Sequence, residues 1–254
     1  MMISSKKVRD EKEIMNEKQF LKGVKDGLPI CFGYLSVAFA FGIFATENGL
    51  SVLEALLVSM TNVTSAGQLA AVPIICGGGG LAELALSQLV INLRYALMSI
   101  SLSQKLDKSV RLFDRFVISF VNTDEVFAVA SGKPHLVGKT YLYGLILTPF
   151  LGWSLGTLLG AGAGAVLPAA VTSALGIAIY GMFVAIVLPV AKKHRPTLLC
   201  VLVSIVLSCA FSYLPWLNKI PAGFTVIICA VSASALLAFL SPLPFAKEAE
   251  NDAN

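Results

Sequence analysis

Charge is what this sequence has least of. Of 254 residues, only 13% are Asp, Glu, Lys or Arg, against about 25% in an average soluble domain. The few charges are unevenly spread: positions 27–46, 140–191 and 220–246 hold no Asp, Glu, Lys, Arg or His. A run of about 20 apolar residues spans a hydrocarbon core of roughly 30 Å. Several such runs in one small chain exclude a water-soluble globule, because nothing polar is left to cover its surface. Histidine is nearly absent. His135 and His194 fall in predicted loops, far apart, with no metal-ligand spacing. The five cysteines, Cys31, Cys76, Cys200, Cys209 and Cys229, include no C-x-x-C pair. They lie within or at the ends of apolar runs and read as small packing residues. No Walker A loop is present, so the chain does not itself hydrolyse ATP, and H-E-x-x-H and G-x-S-x-G are missing too. With no nucleophile, base or metal cluster, an enzyme is the least expected class, and no motif asks for a cofactor.

What is there is an all-α, polytopic membrane pattern of about 6–8 segments. They fall at 28–46, 52–76, 81–103, 116–130, 140–162, 167–191, 197–214 and 223–240. A mixed-charge stretch, 1–26, precedes them, and a polar tail, 242–254, follows a single transmembrane domain, 27–241. No apolar stretch and no cleavage site precede Gly27, so no cleaved signal peptide is expected. Residues 12–26 have the make-up of an interfacial helix on the cytoplasmic surface, and Pro29 suits a first helical turn. The net charge of +4 points to cytoplasmic loops rather than nucleic acid, because the basic residues flank apolar runs.

Topology follows from charge. If all eight segments cross and the N-terminus is cytoplasmic, Lys105, Lys108, Arg111 and Arg115 fall outside, against the positive-inside rule. If the second and fourth segments are instead re-entrant, every basic cluster lies inside and both termini are cytoplasmic. The alternative is seven or eight ordinary crossings with a weak charge rule.

Polar groups at membrane depth carry the rest. The second segment is broken by Thr61 to Gln68, a polar stretch with Gly67 in it. Unwound backbone in a membrane needs protein or water around it, and transporters bind substrates at such breaks. Asn62, Thr64, Ser65 and Gln68 add side-chain donors and acceptors that suit a zwitterionic amino acid; a kinked helix without a ligand is the plainer reading. The third segment shows one polar face, Gln88, Asn92, Tyr95, Ser99 and Ser103, fit for lining a pathway or for interhelical hydrogen bonds. An arginine at mid-helix costs roughly 2.5–3.5 kcal/mol on insertion scales, so Arg94 needs a partner. Asp124 and Glu125 are the counter-charges to hand, and a substrate carboxylate is the other option. Gly152, Gly156, Gly160 and Gly164 form a small-residue ridge for helix packing or a partner subunit. Small residues at 230–238 form a second.

These stretches, GLPICFGYLSVAFAFG (27–42), SAGQLAAV (65–72), NLRYALMSISL (92–102) and TDEVFAV (123–129), occur in the order seen in AzlC-type branched-chain amino acid permeases. The chain resembles that family over roughly residues 20–240. The resemblance implies an exporter of branched-chain or related apolar amino acids in the cytoplasmic membrane, paired with a small AzlD-type membrane subunit. From the polar break and the polar face of the third segment, Asn62, Thr64, Ser65, Gln68, Asn92, Arg94 and Tyr95 are the expected substrate contacts. Asp124 or Glu125 is the expected proton-coupling site. Family members often read Asn-Leu-Arg-His where this chain has Asn92-Leu93-Arg94-Tyr95, so a proton role for that histidine does not carry over. The lead-in Thr61-Asn62-Val63-Thr64 is also more polar than the family's. Two rivals stand beside this reading: a membrane scaffold whose polar residues serve packing alone, and a permease driven by a separate ATPase.

Overall fold

The computed structural model describes residues 2–164, 167, 168, 170, 181, 184, 187–189 and 191–240, with side chains from residue 15 onward. The segment expected at 167–191 lies largely outside the described residues, and the expected tail at 242–254 lies wholly outside them. Among the described residues are nine helices: α1 (Met2–Glu47), α2 (Val52–Thr61), α3 (Ser65–Cys76), α4 (Leu81–Ser103), α5 (Leu112–Phe120), α6 (Asp124–Ser131), α7 (Lys139–Ala163), α8 (Arg195–Tyr213) and α9 (Ala222–Leu240). Five of them, α1 from Met15, α4, α7, α8 and α9, are long and apolar enough to cross a membrane. Their outward faces carry Leu89, Leu93, Leu97 and Ile100 on α4 and Leu202, Ile205 and Val206 on α8. Water-soluble surfaces rarely expose such contiguous patches. The protein is a polytopic helical membrane protein.

The chain divides into two compact units. One comprises residues 1–69 and 92–176, the other 70–91 and 177–254.

In the first unit, α1 and α7 lie against each other along glycines. A Cβ built at Gly152 would stand 2.5 Å from the Cys31 carbonyl oxygen, and one at Gly156 2.5 Å from that of Leu35. Gly160 abuts Phe39, Gly144 abuts Phe20, and Gly42 abuts Thr157 in the same way. Contacts rise together along both helices, so α1 and α7 run parallel. The glycine ridge therefore serves packing inside the unit. It also changes the expected N-terminus. Gly23 and Gly27 already sit on Tyr141 and Leu145 of α7, so residues 20–26 belong to the same helix as the first span rather than to a separate surface helix. Pro29 lies inside that helix, not at its start.

The short helices form two hairpins. Val137 N–H donates to Lys105 O (2.9 Å) and Asp107 N–H to Val137 O (3.0 Å), while Lys139 N–H donates to Ser109 Oγ (3.0 Å). The chain that leaves this end before α5 thus returns to it after α6. Gln68 on α3 donates through Nε2 to Ser59 Oγ on α2 at 2.7 Å. Had α3 continued straight along α2, Gln68 would lie about 13 Å farther along the axis, beyond a glutamine's reach, so the chain turns sharply at 62–64. The second and fourth segments are thus each interrupted and made of helices too short to count among the five candidate spans, and the parallel α1 and α7 fit two re-entrant or two crossing segments alike.

Each hairpin is also shaped locally. Ser51 Oγ accepts from Glu54 N–H, and the Glu54 carboxylate accepts from Ser51 N–H at 2.7 Å, a capping box that starts α2. The fourth segment differs from expectation. It begins earlier, at Leu112, within what reads as a basic linker, and it is two helices broken at 121–123. Phe113, Phe116 and Phe120 form the exposed face of α5, and Ile118 and Asp114 the buried one. Asp114 accepts from Arg111 N–H (2.9 Å) and from the Tyr143 hydroxyl (2.7 Å), which fixes the hairpin's entry to α7.

In the second unit, α8 and α9 follow one another through a short connection and pack together. Glu83 is buried and accepts from Gly223 N–H at 2.8 Å, so the start of α9 is capped by a carboxylate from α4.

Candidate functional site

The two hairpins enter the first unit from opposite ends of the α1–α7 pair. α2 follows the C-terminal end of α1 through a turn at Gly49 and Leu50. α5 starts beside Lys139, at the N-terminal end of α7. Their tips meet at one cavity. Ser59 of the first shares a hydrogen bond with Thr157 on α7. Glu125 of the second receives the hydroxyl of Tyr34, whose ring packs edge-on against Trp153 at 4.9 Å.

Between the tips lies a cavity of about 160 Å³, lined by Thr61, Asn62, Val63, Thr64, Ser119, Phe120, Asn122 and Thr123, with Asn92 and Tyr95 from α4. Three of these side chains are buried with an oxygen that has no protein partner: Thr64 Oγ1, Asn122 Oδ1 and Thr123 Oγ1. A buried polar atom left unmatched costs about 1–3 kcal/mol. Such atoms fit a site that is completed by a ligand or water.

Both tips use one device. Thr64 and Thr123 each stand immediately before a helix, α3 and α6, so two helix N-termini open at the cavity. Their charge differs. The first turn of α6 holds Asp124 and Glu125, whereas that of α3 holds no acid. With no acid in its first turn, the α3 N-terminus favours an anion by its helix dipole. The α6 end presents carboxylates that favour a cation.

Of the residues expected from sequence, Asn62, Thr64, Asn92 and Tyr95 line this cavity. Arg94 and Asp124 meet beside it in an ion pair at 2.9 Å, both side chains about half exposed (52% and 46%). Arg94 also donates to the Tyr95 hydroxyl at 3.2 Å and stacks on its ring. The counter-charge is thus Asp124, while Glu125 is engaged by Tyr34. The expectation for Ser65 and Gln68 changes. The break is confined to 62–64, because Gln68 N–H already bonds Thr64 O at 3.0 Å and helix α3 begins there. Ser65 is in that helix and is not among the lining residues. Gln68 is fully buried and turned to the Ser59–Thr157 hydroxyls, a tie between the first hairpin and α7.

Sequence reasoning missed Thr61, Val63, Ser119, Phe120, Asn122 and Thr123. One signal was available: Asn62-Val63-Thr64 and Val121-Asn122-Thr123 are similar polar interruptions, each ending in a threonine before a short apolar helix. The α4 stripe reaches the same place, for Ser99 Oγ accepts from Asn122 Nδ2 at 3.3 Å.

A family model described as AzlC protein matches residues 29–167, which spans both hairpins and the whole cavity. The chain belongs to the AzlC family. It is 32% identical over 196 residues to the inner membrane protein YgaZ of Escherichia coli K12, covering 74% of this chain and 78% of that one. An uncharacterized membrane protein of Archaeoglobus fulgidus is 34% identical over 178 residues, 69% of this chain and 78% of its own length. Another from Helicobacter pylori is 24% identical over 149 residues, covering 56% and 64%. No solved structure matches the chain. Membership agrees with the multi-pass membrane architecture.

Proposed function

We propose that this AzlC-family chain is a secondary transporter that exports branched-chain or related apolar amino acids across the cytoplasmic membrane, and is not an enzyme. The observation that carries the reading is the cavity between two re-entrant tips that enter from opposite ends, lined by hydroxyl and amide oxygens without partners. Two tips of this kind supply two gates around one site, which is what alternating access needs. A zwitterion matches the charge layout, with its carboxylate at the α3 N-terminus and its ammonium toward the acids of α6. A cavity of about 160 Å³ suits a small apolar side chain. The half-exposed Arg94–Asp124 pair at the middle of α4 fits a watery route, since hydrocarbon would penalise it.

The basic residues Lys22, Lys105, Lys133 and Lys139 gather at the end of the first unit where the second hairpin enters. By the positive-inside rule that end, and the N-terminus with it, faces the cytoplasm. The Escherichia coli relative is named as an inner membrane protein, which supports the same membrane. Coupling is to protons through Asp124 or Glu125, and a small AzlD-type membrane subunit completes the transporter.

Counterflow of labelled leucine, isoleucine, valine and methionine into proteoliposomes, with and without that subunit, tests the reading. Uptake that needs the subunit and collapses with a protonophore is expected. No flux of any of the four with the subunit present would leave the scaffold reading, and flux that requires ATP would leave the ATPase-driven one.

A further inference from the structure

A second cavity lies in the first unit, away from the hairpin tips. Its volume is about 220 Å³, and it opens where α1, the loop after α6 and the start of α7 converge. Lys22, Lys133, His135, Gln19 and the Tyr141 hydroxyl line it. Its floor is braced: Asp26 accepts from Lys133 Nζ at 2.7 Å and from the Tyr141 hydroxyl at 2.8 Å. That tie holds Lys133 in place yet uses one of the three N–H donors of its ammonium. The single carboxylate of Asp26 offsets one of the two lysines. The two ion pairs among the described residues are Arg94–Asp124 and Lys133–Asp26, so Lys22 and His135 are in neither. The cavity thus keeps a surplus of positive charge and several unused donors. Its lining is apolar at Pro134 and at Leu136, which is 61% exposed.

We infer that this cavity binds a phosphate group, with Lys22, Lys133 and His135 as its donors. A phosphate oxyanion suits the mix of two ammonium groups, an imidazole and a neutral amide. Basic recesses at the ends of membrane helices hold anionic lipid headgroups for the same reason. The apolar lining adds a place for acyl chains, which an inorganic anion does not need. The chemistry is shared by a phospholipid headgroup and by free phosphate, and the two are separable by experiment. The site lies apart from the substrate cavity, and its test does not depend on transport.

The test uses the full chain purified in a neutral detergent. Short-chain dihexanoyl phosphatidylglycerol, dihexanoyl phosphatidylcholine and inorganic phosphate are titrated, with the melting temperature as readout. The anionic lipid is expected to bind at least tenfold more tightly than the zwitterionic one. Lys22→Gln should weaken it at least fivefold, and Lys22→Gln with His135→Gln at least tenfold. Lys18→Gln, one turn away and outside the cavity, should change it less than twofold. Lys133 is left intact because its loss would also unbrace Asp26. Binding of the anionic lipid without inorganic phosphate assigns the site to lipid. Inorganic phosphate that binds and is lost in Lys22→Gln assigns it to the free anion. Equal binding of both lipids, or no effect of Lys22→Gln and His135→Gln on any probe, overturns the site.

Discussion

Placing an alanine at Gly156 tests the parallel α1–α7 packing on which the whole arrangement stands. Its Cβ would fall 2.5 Å from Leu35 O and 2.9 Å from the Cβ of Ala38. Ordinary contact between such atoms needs about 3.5 Å, so the helices must part by about 1 Å or the backbone must bend. Both obstacles are backbone or Cβ atoms, which cannot rotate away. Overpacking of this kind costs about 1–3 kcal/mol. Gly162 is the matched control: it sits on the same helix with nothing within 4 Å of its Cβ position. There, alanine removes glycine's helix penalty and should gain roughly 0.5–1 kcal/mol. For a chain of this size each kcal/mol moves the melting point by about 2–4 °C. Gly156→Ala should therefore melt several degrees below the parent protein, and Gly162→Ala at or slightly above it, in the same detergent. If the two variants melt together, α1 does not lie on that ridge, and the topology derived from it fails.

Three other outcomes follow from the same geometry. Thr64→Val and Thr123→Val keep side-chain shape but remove the unpartnered hydroxyls; stability should hold or rise while amino acid flux falls about tenfold, the equivalent of about 1.4 kcal/mol. A loss of stability with unchanged flux would assign those hydroxyls to packing. Asp124→Asn should impair flux as much as Arg94→Gln, with the double variant no worse than either single, because one ion pair is lost in each case; additive losses in proteoliposome flux would show the two acting apart. The Ser51 N–H and hydroxyl hold the Glu54 carboxyl below its ordinary range. Its share of α2 stability is therefore present above about pH 4 and fades as pH falls through the lowered value. Glu54→Gln should flatten that acid limb in a melting-temperature profile.

Much of this architecture was readable because lipid leaves few options. Long gaps in charge marked the spans, and the basic cluster at 105–115 set the second and fourth segments apart from them. The first break announced itself through Asn62 and Thr64. The second was hidden. Val121-Asn122-Thr123 contains neither glycine nor proline, and Arg111, Asp114 and Arg115 disguise the start of α5 as linker. Only the register of Phe113, Phe116 and Phe120 hints at a membrane face there. The fate of Gln68 could not be read at all, since its partner chain ends at Thr157, 89 residues away in sequence. Likewise, choosing Asp124 over Glu125 as partner of Arg94 depends on Tyr34 reaching Glu125 first, a contact between distant segments. Spacing along one helix predicts neighbours on that helix; it carries no information on which far segment comes to lie beside it.

The α1–α7 ridge has a consequence for biosynthesis. Cys31 and Gly152, which touch in the finished protein, are made roughly 120 residues apart. At about 5–20 residues per second, the first helix waits on the order of ten seconds in the bilayer with its groove bare. During that interval the two arms, too short to cross, have no frame to sit in. Arrival of the seventh helix closes the frame, and the arms settle last, making their seating late and readily disturbed.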